Sequence, residues 1–325
     1  MKFASYLHEG KIRVGIVDGQ KLVDPLSIEQ QQAGALGADA QCFSTMQEVI
    51  AQQDKALPLA KKAVEISRQT GAGIIPLDTV QLAAPIMPTT ILCAGSNYLS
   101  HNAEKAGSDT SGKEPEFFVK TADCVVPHLG KIVLDTTLTK KLDGEVELAI
   151  VIGKPGRHIP KEKALEHVFG YTIVNDVTAR DRQVRYRPDG TTWYELGRGK
   201  VFDTSAPLGP FIVTTDDIPD PQVLNISSRV NGELRQNSNT SQMIWSVAEL
   251  IHVFSMNLTL RPGMVIITGT PSGTAWSTDK ELGGNWSGGN GIVPAKGYLQ
   301  AGDEIECEIE KIGVLKNRVV AGTER

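Results

Sequence analysis

The segment Leu142-Asp143-Gly144-Glu145-Val146-Glu147 runs into Leu148-Ala149-Ile150-Val151-Ile152, so two carboxylates sit two residues apart at the head of an apolar run. In a strand, alternate side chains share a face. Val146, Leu148, Ile150 and Ile152 then line a core face. Glu145 and Glu147 share the opposite one, about 7 Å apart at a rise of ~3.3 Å per residue. Two parallel carboxylates suit a hard divalent cation such as Mg²⁺, which takes oxygen ligands. Without a cation, their repulsion raises one pKa. The plainer alternative is a half-exposed strand with a wet acidic face. A third acid, Asp176, closes the apolar run Tyr171-Thr172-Ile173-Val174-Asn175 and can complete a three-carboxylate oxygen site. Arg180 and Gln183 follow it three residues apart, so one helical turn puts both near such a site. The competing reading is an Asp N-cap with a solvated Arg.

A second constellation is Asn97-Tyr98-Leu99-Ser100-His101-Asn102-Ala103-Glu104. On a helix, His101 and Glu104 are neighbours. Glu104 can orient and charge-stabilise His101, which makes the imidazole a general base for water. A surface His–Glu pair is the bland alternative. The polar run 105–112 that follows is flexible in composition, so a short helix on this tether is a candidate lid. Lys120 and Lys200 sit in apolar or Gly-rich contexts. Either can hold a carboxylate or enolate oxygen, although a lone Lys is usually solvated. Gly269-Thr270-Pro271-Ser272-Gly273 offers backbone N–H groups and the Thr270 hydroxyl as an anion cradle. It is not a P-loop, because no GxxxxGK[ST] surrounds it.

These residues need elements to carry them. Residues 11–17 alternate, Asp18-Gly19 offers a hairpin turn and 21–23 returns. Helical patterns follow near 46–52 and 57–68, and Gly71-Ala72-Gly73 ends the second. Prolines at 76, 85 and 88 mark a boundary, so residues 1–80 form a small N-terminal module and 81–325 the main domain. Strands are predicted at 90–94, 116–120, 145–152, 171–177, 211–214, 224–230, 264–268 and 304–310. Helices are predicted at 99–105, 161–168 and 246–257. Asn231-Gly232 is a second hairpin signal. The helices are interspersed without βαβ regularity, which points to an α+β fold on an antiparallel or mixed sheet. Residues 274–297, rich in Gly, Trp, Ser and Asn, read as a long loop over some surface.

Composition removes several classes. The 33 basic and 38 acidic residues among 325 give a net charge of −5, without the basic footprint of a nucleic-acid binder. No apolar stretch reaches the ~18 residues of a membrane helix, and the first residues lack a signal-peptide core. The four scattered cysteines form no CxxC pair, so neither zinc nor a disulfide framework is implied, and a cytoplasmic setting is expected.

Taken together, the motifs closely resemble the fumarylacetoacetate hydrolase family. The matching residues are Asn97-Tyr98 with His101 and Glu104; Pro115-Glu116-Phe117-Phe118-Val119-Lys120; Asp143-Gly144-Glu145-Val146-Glu147; Asn175-Asp176-Val177-Thr178-Ala179-Arg180-Asp181; Lys200-Val201-Phe202-Asp203-Thr204; and Gly269-Thr270-Pro271-Ser272-Gly273. The resemblance implies a mixed β-roll catalytic domain, after a small N-terminal α/β module, in a homodimer that binds Mg²⁺ or Mn²⁺. Glu145, Glu147 and Asp176 would ligate the metal, and His101 and Glu104 would activate water. Lys200, Gln183 and Arg180 would stabilise oxyanions. Lys120, Thr270, Tyr98 and Gly269 would bind the substrate. The implied reaction is C–C hydrolysis of acylpyruvate-type 2,4-dioxo acids. Oxaloacetate decarboxylase and 2-hydroxyhepta-2,4-diene-1,7-dioate isomerase or hydratase chemistry are the alternatives on the same scaffold. Residues 274–297 are longer than the family's usual link and would reshape the pocket.

Overall fold

The computed structural model describes residues 1–104, 114–186, 189, 191–286, 288–289 and 291–324. The alternation at the start of the chain becomes an antiparallel meander of Lys2–His8 (β1), Lys11–Asp18 (β2) and Lys21–Val23 (β3). Gly19 takes φ 64° at the expected turn. Helices Pro25–Gln31 (α1), Met46–Ala51 (α2) and Gln53–Thr70 (α3) follow, and Ile74–Pro76 (β4) pairs with β3. α3 buries Ala56, Ala60 and Ala63, a stripe of small residues at helical spacing. It ends where Gly71 turns left-handed at φ 77°. The helix begins at Gln53 rather than 57, with Pro58 in its second turn.

The main segment contributes Ile91–Gly95 (β5), Glu116–Lys120 (β6), Lys131–Leu134 (β7), Val146–Ile152 (β8), Val168–Asn175 (β9), Ala206–Thr214 (β10), Asn225–Val230 (β11), Glu233–Asn239 (β12), Val265–Ile267 (β13), Glu304–Ile309 (β14) and Gly313–Ala321 (β15). The large sheet has the order β4-β3-β2-β1-β10-β9-β8-β13-β5-β6. The second sheet runs β12-β11-β14-β15-β7. Most pairs are antiparallel, but β13 is parallel to β5 and β15 to β7. This is an α+β architecture on large mixed sheets. Phe3 of β1 pairs with Ile212 of β10, so the N-terminal strands extend the same sheet as the main segment.

Short helices Leu99–Asn102 (α4), Arg180–Gln183 (α5) and Leu196–Lys200 (α6) sit in loops near the strand ends. Val247–Asn257 (α7) opens on a capping box between Ser246 and Glu249. Asn231 and Gly232 turn the β11–β12 hairpin with positive φ at both positions. Leu148, Ile150 and Ile173 of the large sheet pack on Ile226, Ile305 and Leu315 of the second sheet and on Leu250 and Phe254 of α7. On the opposite face, Ala149, Val151 and Val174 share a core with Phe3, Val49 and Ile50. β8 is therefore buried on both faces, and the alternative of a wet acidic face is overturned. The predicted helix at 161–168 is a 3-10 helix over Lys161–His167. The helix predicted over 99–105 is shorter, ending at Asn102. The lid tether at 105–112 lies outside the described residues. No helix among the described residues is long and apolar enough to cross a membrane.

Candidate active site

The antiparallel register of β8 and β9 sets Val146 opposite Asn175 and Glu147 opposite Val174. The pairing runs one step past the strand ends, where the Asp176 N–H donates to the Glu145 carbonyl at 2.8 Å. Asp176 thus faces Glu145 across the ladder, and Glu147 lies on the same strand face two residues on. One oxygen from each of the three carboxylates lies within 4.8 Å of the others, and all three residues are buried.

Three cations converge on them. Lys200 Nζ is 2.6 Å from both Glu145 Oε2 and Asp176 Oδ2. Lys120 Nζ is 2.7 Å from Asp176 Oδ1 and donates to the Ser205 carbonyl at 2.8 Å. Arg180 Nη2 is 2.5 Å from Glu145 Oε1, while its Nε donates to Asp143 Oδ2 at 2.8 Å and its Nη1 to Gln183 Oε1 at 2.9 Å. Arginine has only donors, so it fixes the Gln183 amide with its oxygen inward. The Gln183 nitrogen is then the donor on its other side. Close packing of α5 and α6 makes this possible. A Cβ on Gly199 would lie 2.5 Å from Gln183 Cβ.

Electrostatics divides the carboxylates. Burial works against ionised Glu145, but Lys200 and Arg180 outweigh it and hold its carboxyl well below the usual range. Burial pushes Glu147 well up, and Asp176 and Glu145 add to the rise. Glu147 accepts the Gly269 N–H at 2.6 Å and forms no ion pair among the described residues. Burial likewise disfavours the Lys200 ammonium, yet Asp176 and Glu145 hold its pKa above the ordinary value. Five buried carboxylates (Glu104, Asp143, Glu145, Glu147, Asp176) face three buried cations (Lys120, Arg180, Lys200). With all five ionised and His101 neutral, two negative charges are left over, and without a cation the raised Glu147 pKa offsets one of them with a proton; uncompensated buried charge is costly. A hard divalent cation matches both that deficit and the all-oxygen donor set. The carboxylates also border a cavity of about 30 Å³ with His101, Gln183 and Thr270, room for about one water or ion. The residues fit such a cation.

His101 closes one side of that cavity. Its Nδ1 lies 3.1 Å from Glu104 Oε2, both residues being buried. With Glu104 ionised, this pairing assigns the proton to Nδ1 and leaves Nε2 as the acceptor. Glu104 Oε1 accepts the Gly273 N–H at 2.7 Å, so the glycine motif also holds the dyad. Thr270 and Gly269 also border the cavity, with their polar hydrogens engaged within the protein. The Thr270 hydroxyl donates to the Val146 carbonyl at 2.9 Å and accepts from Gln236 Nε2, so its proton is committed to the strand rather than to an anion. The Gly269 N–H is committed to Glu147. Lys120 pairs with Asp176 Oδ1 and is absent from the cavity lining. Tyr98 is fully buried and absent from the cavity lining, with its phenol pKa raised by burial and by nearby Glu147.

Three residues escaped sequence reasoning. Glu116, which accepts from Ser96 Oγ at 2.9 Å, borders the cavity. Asp143 accepts from the Gly144, Ala275 and Trp276 N–H groups as well as Arg180. Its place beside the Glu-x-Glu pair was the available signal. Trp276 packs on Arg180 from the long loop, where composition alone suggested no role. A larger cavity of about 540 Å³ lies behind Asp143 and Gly144, bordered by Arg235, Lys296 and Tyr298. None of the three clustered carboxylates borders it.

The fold and the buried carboxylate cluster place the chain in an enzyme family. Residues 90–320 match the family model described as fumarylacetoacetate (FAA) hydrolase C-terminal, and the chain belongs to that family. It is 37% identical, over 98% of its length and 100% of the relative, to oxaloacetate tautomerase YisK of Bacillus subtilis (strain 168). Its fold is similar to fumarylacetoacetate hydrolase (EaFAH) from psychrophilic Exiguobacterium antarcticum, with a TM-score of 0.74, 34% identity and 99% of each chain covered. It is also similar to maleylpyruvate hydrolase from Sphingobium sp. SYK-6 in complex with manganese(II) and pyruvate, with a TM-score of 0.71, 27% identity, and 99% of this chain and 100% of the other covered.

Proposed function

We propose that the chain interconverts the keto and enol forms of oxaloacetate-type 2-oxo dicarboxylates at a divalent-cation centre. The observation that carries this reading is that a Glu104-oriented imidazole and three clustered carboxylates border one cavity. The similarity to oxaloacetate tautomerase YisK supports that substrate class. Glu145, Glu147 and Asp176 would hold Mg²⁺ or Mn²⁺, which supplies Lewis-acid polarisation of an oxo group when bound.

The chain's own groups do the rest. His101 Nε2 takes a proton from C3 of the keto acid, and Glu104 stabilises the imidazolium that results. The C–H pair becomes the C2=C3 bond, and the C2 oxygen gains negative charge. Lys200 and the Gln183 amide nitrogen offer donors to that oxygen. Return of the proton from His101 to this oxygen completes the enol. Arg180 keeps Gln183 and Glu145 oriented.

Hydrolysis of acylpyruvates is a second reading, favoured by the same buttressed imidazole, which would serve equally to activate water. The test is purified protein with oxaloacetate, several acylpyruvates, and Mg²⁺, Mn²⁺ or EDTA. Metal-dependent acceleration of enol–keto exchange without pyruvate release supports the tautomerase. Pyruvate plus a carboxylic acid from acylpyruvates would establish the hydrolase instead. Pyruvate and CO₂ from oxaloacetate would point to decarboxylation.

A further inference from the structure

We propose that Trp276 is a positioning residue that holds the His101 imidazole and the Arg180 guanidinium in register across the site, with Asp143 as its anchor. His101 and Arg180 arrive on α4 and α5, each a single short turn. Helices this short have no stability of their own, so a third element must set their separation.

The segment from Gly273 to Asn285 is that element. At its two ends, the Gly273 N–H holds Glu104 Oε1 and the Asn285 N–H donates to the Glu104 carbonyl at 2.8 Å. Just past its first residue, the Ala275 and Trp276 N–H groups donate to Asp143 at 2.9 and 3.1 Å. Asp143 in turn holds Arg180 Nε. One stretch of backbone therefore ties the dyad to the carboxylate centre. The Trp276 ring fills the space between them. Its centroid is 6.3 Å from that of His101, edge-on at 70°, and 5.1 Å from Arg180 Cζ. Tyr194 packs on it at 5.9 Å.

The ring has little freedom to yield. Trp276 is 3% exposed, and its Nε1 donates to the Leu282 carbonyl at 2.9 Å. Both flanks of the brace are packed too closely for a side chain. A Cβ on Gly273 would fall 1.8 Å from the Arg235 carbonyl oxygen, and one on Gly284 2.0 Å from that of Trp276. The long 274–297 loop thus contributes a rigid wall to the catalytic side chains, although it supplies none of the carboxylates.

The inference rests on the proposed proton-transfer role of His101, so its test includes a readout that needs no turnover. Trp276→Ala, Trp276→Phe and Asp143→Asn are compared with the parent enzyme under Mn²⁺ and oxaloacetate. For Trp276→Ala, kcat should fall about 10- to 100-fold, the scale of a misplacement of ~1 Å, with KM within about threefold of the parent. Trp276→Phe should recover most of kcat, and Asp143→Asn should lower it in the same sense. In parallel, the His101 ring resonance is titrated by NMR. Its midpoint should move in Trp276→Ala and Asp143→Asn.

A folded Trp276→Ala with parental kcat and an unmoved His101 titration overturns the proposal. So does a loss confined to KM. If Trp276→Ala fails to fold, Trp276→Leu against Trp276→Phe carries the same comparison. If the parent turns over no oxo acid, the function is wrong, and the His101 titration alone decides the brace.

Discussion

Lys120 Nζ and Asp176 Oδ1 lie 2.7 Å apart, and neither side chain is more than 1% exposed. The lysine ends β6, one of the two edge strands of the large sheet, and the aspartate lies just past the end of β9. This pair joins the sheet edge to the carboxylate centre. Removing one partner of a buried ion pair costs about 3–5 kcal/mol, and here Asp176 would keep its contact with Lys200 alone. Lys120→Met should therefore lower stability by that order. Urea unfolding checks it, and a change under about 1 kcal/mol would mean the pair is not buried in solution.

Glu147 makes a pH prediction. Its carboxyl is held well above the unfolded value, so the folded state binds the extra proton. Without divalent cations, stability should fall as pH rises above about 4.3, the unfolded value, toward the raised folded pKa. Glu147→Gln should remove that slope and raise the metal-free Tm at high pH. The same change should weaken Mn²⁺ binding by about 10- to 100-fold or more, and parental Mn²⁺ binding should tighten with pH as protons are released. Thermal scans in EDTA across several pH values, with Mn²⁺ titrations beside them, test both halves. Unchanged affinity in Glu147→Gln would remove this residue from the metal site.

His101→Ala should leave Mn²⁺ binding intact, because the imidazole is not among the clustered carboxylates. Turnover should fall about 10²- to 10⁴-fold, the usual contribution of a positioned general base. Initial rates with oxaloacetate and an acylpyruvate, set beside a Mn²⁺ isotherm, separate the two effects. Full activity without the imidazole would transfer the base role elsewhere.

The capping box of α7 gives a prediction remote from the chemistry. Burial raises the Glu249 pKa, but Lys161 and Ser246 outweigh it and bring the carboxyl down to about 2. A depressed acid contributes stability above its unfolded value, and that contribution is lost as pH falls through about 2. Ser246→Ala should cost about 1 kcal/mol at neutral pH, and Glu249→Gln should flatten the acid limb. Chemical denaturation at neutral and acid pH measures both.

Much of the centre was legible because it obeys local periods. The i, i+2 spacing of Glu145 and Glu147 and the i, i+3 spacing of His101 and Glu104 follow directly from strand and helix geometry. Asp176 announced itself as an acid closing an apolar run, and the Asn231-Gly232 turn carries its own backbone preference. The partners of those groups were not legible. Lys120 meets Asp176 across 56 residues, Gly273 meets Glu104 across 169, and Ala275 meets Asp143 across 132. Nothing periodic marks a contact made by folding two distant loops together. The burial of β8 on both faces had the same origin, since only the packing of the helical layer on one side and the second sheet on the other removes water from Glu147. The sequence by itself determined which side chains carry charge and which neighbours share a face. The tertiary structure decided which of those charges are dry and paired, and left Glu147 without an ion pair among the described residues, because desolvation depends on what packs from elsewhere in the chain.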